Sequence, residues 1–145
     1  MLFRKARERA ALAQAVRRLV TPPLNLGLSL PWDDDYFVGF LFGFGSAIAG
    51  ALGITGTDAE IGDRIIYGIE ALAPKEARAG MARRIVNLKR SSAEFDEGEK
   101  NGAQAAVVLF RPEAEEYPGM TAGAFYTRVW PDMADQVIGR MCERL

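Results

Sequence analysis

The stretch YFVGFLFGFGSAIAGALG, residues 36–53, decides the fold of this 145-residue chain. It carries no charge, and it places small residues four positions apart at Gly39, Gly43, Ala47 and Ala51. On an α-helix this spacing forms one continuous ridge. Glycine costs a helix about 0.8–1 kcal/mol relative to alanine, so the ridge indicates that a second backbone approaches more closely than the usual separation of about 8–10 Å.

A second ridge with the same spacing lies later in the chain, at Gly98, Gly102 and Ala106. We predict that the two ridges meet, either within one chain or across a two-fold axis. A helix that is apolar almost all round belongs at the centre of a fold. The segment 36–53 is therefore predicted to be the central helix, with its phenylalanines filling the surrounding core.

Helical periodicity predicts further helices on both sides of this segment. The first covers residues 2–20 and is ended by Pro22 and Pro23, the second covers residues 58–72 and begins with a capping box at Thr57–Glu60, and the third has Pro74 in its first turn. A fourth helix runs from a capping box at Ser91–Glu94 to about residue 110, although its tail at 105–110 could alternatively be a short strand. C-terminal residues 125–141 are also predicted to be helical, with a kink or a division at Pro131.

The predicted fold class is therefore all-α, a compact bundle of five to six helices around the Gly/Ala/Phe-rich helix. The length indicates a single domain over residues 1–145. The apolar stripe of the first helix begins only at Leu12, so residues 1–20 could form an N-terminal helical arm.

Composition excludes several kinds of function. The chain has no histidine, which excludes Ser-His-Asp triads, Cys-His dyads and zinc sites of the HExxH type. A net charge of −1 does not favour nucleic-acid binding, and no cofactor motif is present. The single Cys142 indicates a reducing compartment, so a cytoplasmic location is expected.

The uncharged run from Tyr36 to Ile54 is also close to the minimum length of a membrane span. Small residues four positions apart are a packing motif of membrane helices as well. However, Asp33–Asp35 separate the run from the basic N-terminus, and its glycines lower its hydrophobicity. A buried helix in a water-soluble bundle is therefore the expectation, and a membrane span is the alternative.

Basic residues are concentrated in residues 1–20 and 74–90, each with six Lys or Arg against one Glu. Within the second cluster, Arg83, Arg84, Lys89 and Arg90 are candidates for binding an acidic protein partner. The expected function is a non-enzymatic assembly or adaptor module that forms a homodimer and engages an acidic or polar partner. The small and apolar helix faces exceed what so short a chain can bury, which motivates the dimer.

Two other functions remain open from the sequence. Glu94 and Glu97 lie three positions apart on a predicted helix and could hold a divalent cation in a metal-dependent phosphohydrolase. Alternatively, a small apolar ligand could bind in a pocket lined by four phenylalanines, at positions 37, 40, 42 and 44.

Overall fold

A computed structural model describes residues 2–25 and 30–110 of the chain, and the predicted C-terminal helices lie outside the described residues. The described residues form six helices and no strand: α1 (Leu2–Asn25), α2 (Asp35–Ala51), α3 (Asp58–Leu72), α4 (Lys75–Arg78), α5 (Met81–Ser91) and α6 (Ala93–Phe110). The predicted all-α bundle is confirmed. The alternative of a strand at residues 105–110 is wrong, because these residues continue α6.

The helix α2 lies at the centre of the bundle, as its apolar sequence predicts. It packs against α1, α3, α5 and α6. Phe37, Phe40 and Phe44 are almost completely buried, and Phe42 is also in the core. Burial of a phenylalanine side chain contributes about 1.5–3 kcal/mol, so these rings are a main source of the stability of the bundle.

The helix α1 is longer than predicted. Its apolar stripe is buried against the bundle from Leu12 to Val20, as the periodicity indicates. However, Pro22 and Pro23 do not end it, because the helix continues to Asn25. Proline fixes φ near −65°, which is a helical value. Each proline nevertheless lacks the N–H that would donate to the carbonyl four residues earlier, and the helix ends two residues after Pro23.

The single helix predicted after Pro74 is instead divided into α4 and α5. Pro74 is the N-cap of α4 rather than part of its first turn, and Gly80 separates the two helices with a φ of 75°. Glycine adopts this left-handed conformation without steric cost, so the chain changes direction here. Beyond the break, Met81 and Ile85 of α5 are both buried in the core.

One of the two predicted N-terminal caps is confirmed through the side chain of its first residue, and the other is wrong by one residue. The Glu60 backbone N–H donates to Thr57 Oγ1 at 3.2 Å, as predicted. Before α6, however, the N–H of Phe95 donates to Ser92 Oγ at 3.1 Å. Ser91 is the last residue of α5, and its hydroxyl donates to the Asn87 carbonyl. Because α5 extends through Ser91, the residue that precedes α6 and accepts from its first turn is Ser92.

Candidate functional site

The helices α2 and α6 pack with their backbones in direct contact. A Cβ atom added at Gly39 or Gly43 would lie within 3.0 Å of backbone atoms of Phe95 or Glu99, respectively. The contacts advance in the same sense along both helices, so α2 and α6 run parallel. Backbones this close allow Cα–H···O contacts between helices, as in paired GxxxG motifs.

The same contact is reciprocal from the side of α6. Cβ atoms added at Gly98 and Gly102 would fall within 3.0 Å of the backbone of α2, at Tyr36 and Phe40. The two small-residue ridges therefore meet within one chain. Ala106 is also buried and Ala47 is partly buried, whereas the side chain of Ala51 lies outside the described part of the structure.

Two of the four candidate partner-binding cations on α5 are used inside the chain. The Arg84 guanidinium donates to the Trp32 carbonyl and lies 3.2 Å from Asp35 Oδ1. Asp35, the first residue of α2, therefore connects α2 to α5. Lys89 Nζ lies 3.5 Å from Glu99 Oε2, which connects α5 to α6.

The other two cations, Arg83 and Arg90, are exposed and have no acidic partner among the described residues. Between them on the same outward face lie Val86, which is 46% exposed, and Asn87. We call these four residues the α5 stripe. The two arginines are seven residues apart, which corresponds to about 10.5 Å along a helix axis. The stripe is therefore basic at both ends, with an apolar side chain between them.

A buried ion pair between α1 and α3 is not evident from the sequence analysis. Arg64 is only 5% exposed, and its Nη1 lies 2.7 Å from Glu8 Oε2. It also donates to the Thr55 carbonyl at 3.3 Å, and Glu60 lies at 3.9 Å. The signal that could have indicated it is a cation among the isoleucines on the apolar face of α3. The arrangement holds α1 in place, because a buried charge requires its partners.

The candidate metal ligands Glu94 and Glu97 are both exposed on α6. Within residues 2–25 and 30–110, no group of three or more His, Cys, Asp or Glu side chains could hold a metal ion.

The four phenylalanines proposed to line an apolar pocket are buried in the core instead. A surface cleft of about 410 Å³ does lie between α2 and α6. None of the four phenylalanine rings lines this cleft. Its lining residues are small or polar: Gly43, Ser46, Ala47, Asp96, Glu99, Lys100 and Ala103.

Among the described helices, none is both long enough and apolar enough to cross a lipid bilayer.

The protein is an all-helical bundle, and its α5 stripe is a basic surface with one apolar side chain, Val86, at its middle. No protein-family model matches this chain, and neither a curated protein nor a solved structure shows significant similarity to it.

Proposed function

We propose that this protein is a non-enzymatic binding module that engages an acidic protein surface through the α5 stripe. The proposal includes self-association into a dimer and a cytoplasmic location, the latter supported by the single Cys142.

The proposal depends on how the cations of α5 are divided. Arg84 and Lys89 fix the helix to its neighbours through Asp35 and Glu99. Because α5 is fixed in this way, Arg83 and Arg90 are presented outward on a rigid element. Binding sites carried by rigid helices lose less conformational entropy when they bind a partner.

Self-association is supported by apolar side chains that stay exposed. The α2–α6 contact is formed within one chain, so the small-residue ridges do not supply a dimer interface. Among the residues whose side chains are described, the large apolar ones left exposed are Phe3, Leu52, Tyr67 and Val86. Val86 belongs to the α5 stripe, so self-association and partner binding can share this surface. Neither the metal-dependent nor the apolar-ligand alternative is supported by an observation of this kind.

Fluorescence anisotropy with a labelled helical peptide tests the binding proposal. The peptide carries two glutamates seven positions apart with a leucine between them, which matches the spacing of the α5 stripe. We expect saturable binding by the natural protein. Arg83→Gln/Arg90→Gln should weaken the binding by about twofold to thirtyfold, because each of the two exposed ion pairs contributes about 0.2–1 kcal/mol.

The matched control is Lys5→Gln/Arg7→Gln on α1, which removes the same charge from a different helix. The control should bind the peptide almost as well as the natural protein does. Equal losses in the two variants would show that only net charge matters, and absence of binding by the natural protein would refute the proposed function.

A further inference from the structure

The outward face of α3 carries an acidic counterpart of the α5 stripe. Asp63 is exposed, Tyr67 is 49% exposed and Glu70 is partly exposed. We call these three residues the α3 stripe. They lie opposite Ile65 and Ile69, which are buried in the core. The α3 stripe is therefore acidic at both ends, with an aromatic ring between them.

The two stripes have the same dimensions. Arg83 and Arg90 are seven residues apart, and so are Asp63 and Glu70, which gives about 10.5 Å along each helix axis. The apolar positions also correspond when the helices are antiparallel. Val86 lies three residues after Arg83, and Tyr67 lies three residues before Glu70.

We propose that the α5 stripe binds the α3 stripe of a second copy of this chain. In the antiparallel register, Arg83 meets Glu70 of the second copy and Arg90 meets its Asp63. Val86 then covers the exposed part of Tyr67 in the second copy. The inference rests on the proposed function, because it names the acidic partner of the same α5 surface.

The proposed pairing places both stripes of each copy in the interface of a symmetric dimer. The two helices contact each other within one copy. Each copy therefore carries both stripes on neighbouring helices, and a two-fold axis forms the same contact twice. The Arg9 guanidinium lies 5.4 Å from the centre of the Tyr67 ring. This contact holds the ring while about half of the residue stays exposed to a partner.

Charge exchange tests this pairing. One variant, Arg83→Glu/Arg90→Glu, makes the α5 stripe acidic. The other, Asp63→Lys/Glu70→Lys, makes the α3 stripe basic. Each variant alone sets like charges against each other in both contacts of a homodimer. Mixing the two variants in equal amounts restores opposite charges in both contacts of the heterodimer.

Molar mass is measured by light scattering after size exclusion, from low micromolar to near-millimolar protein. We expect a dimer for the natural protein. For each variant alone, the dissociation constant of the dimer should be about tenfold larger than that of the natural protein, or more. The mixture should recover the dimer. Controls with the same charge changes are Lys5→Glu/Arg7→Glu on α1 and Glu94→Lys/Glu97→Lys on α6, which should both remain dimeric. Circular dichroism confirms that every variant keeps its helices.

The outcomes separate this inference from the proposed function. A dimer that neither variant weakens overturns the inference, and so does a heterodimer that fails to form. A natural protein that is monomeric but binds the acidic peptide through Arg83 and Arg90 overturns the inference and the proposed dimer, and leaves the acidic-partner part of the proposed function standing. A monomer that does not bind the peptide overturns both.

Discussion

Replacing Gly43 with alanine tests the close packing of α2 on α6. The new Cβ would clash first with the carbonyl oxygen of Glu99, and would lie 2.6 Å from its carbonyl carbon and 2.7 Å from its Cα. Because favourable contacts between carbon atoms occur at about 3.5–4.0 Å, the two backbones must separate by about 1 Å. The contacted atoms belong to the backbone of α6, so a change of rotamer cannot relieve the clash.

The expected loss of stability follows from two opposing effects. Overpacking of this kind costs about 1–3 kcal/mol of folding free energy. We take the upper end of this range, because the backbones of α2 and α6 are in contact over several turns. Alanine recovers about 1 kcal/mol through its better helix propensity. Gly43→Ala should therefore lower the free energy of unfolding by about 2 kcal/mol, which corresponds to a decrease in Tm of about 4–8 °C.

Urea denaturation followed by far-ultraviolet circular dichroism measures this difference, with the slope m compared between variants. Gly50→Ala is the matched control, because Gly50 is in the same helix but a Cβ there would meet nothing within 4 Å. The control should be unchanged or stabilised by up to about 1 kcal/mol. If Gly43→Ala is as stable as Gly50→Ala, then α2 and α6 do not approach each other as closely as described.

Three further substitutions test other parts of the fold by the same denaturation assay. Glu8→Gln leaves the buried Arg64 without its nearest carboxylate and should cost about 3 kcal/mol, whereas a loss below about 1 kcal/mol would indicate that the pair is solvated. Ser92→Ala should cost about 1 kcal/mol, because it removes the N-cap of α6. Its control, Ser91→Ala, should cost less than about 0.5 kcal/mol. A larger loss for Ser91→Ala than for Ser92→Ala would show that Ser91 is the N-cap of α6. Gly80→Ala should cost about 1–2 kcal/mol because alanine is strained in the left-handed region, and a neutral result would argue against the turn at this position.

The predictions that were confirmed depend on local sequence patterns. The uncharged run at 36–53 predicts a central helix, because a helix with no polar face must be buried on all sides. Thr57 and Glu60 predict the start of α3, because a capping box is complete within four residues. Most of the predictions that were wrong concern where a helix begins, ends or is divided, as at Gly80 between α4 and α5. The cap of α6 at Ser92 and the end of α1 beyond Pro22 depend on how far the preceding turns continue.

The sequence by itself determined the all-helical class, the central position of α2 and the apolar face of each neighbouring helix, because periodicity acts within a single helix. Only the tertiary structure decided that the two glycine ridges meet within one chain. It also divided the cations of α5 into Arg84 and Lys89, which are paired internally, and Arg83 and Arg90, which face outward. The physical reason is that the partner of a charge is set by which helices become neighbours, and Asp35 and Glu99 reach α5 only after the bundle has formed.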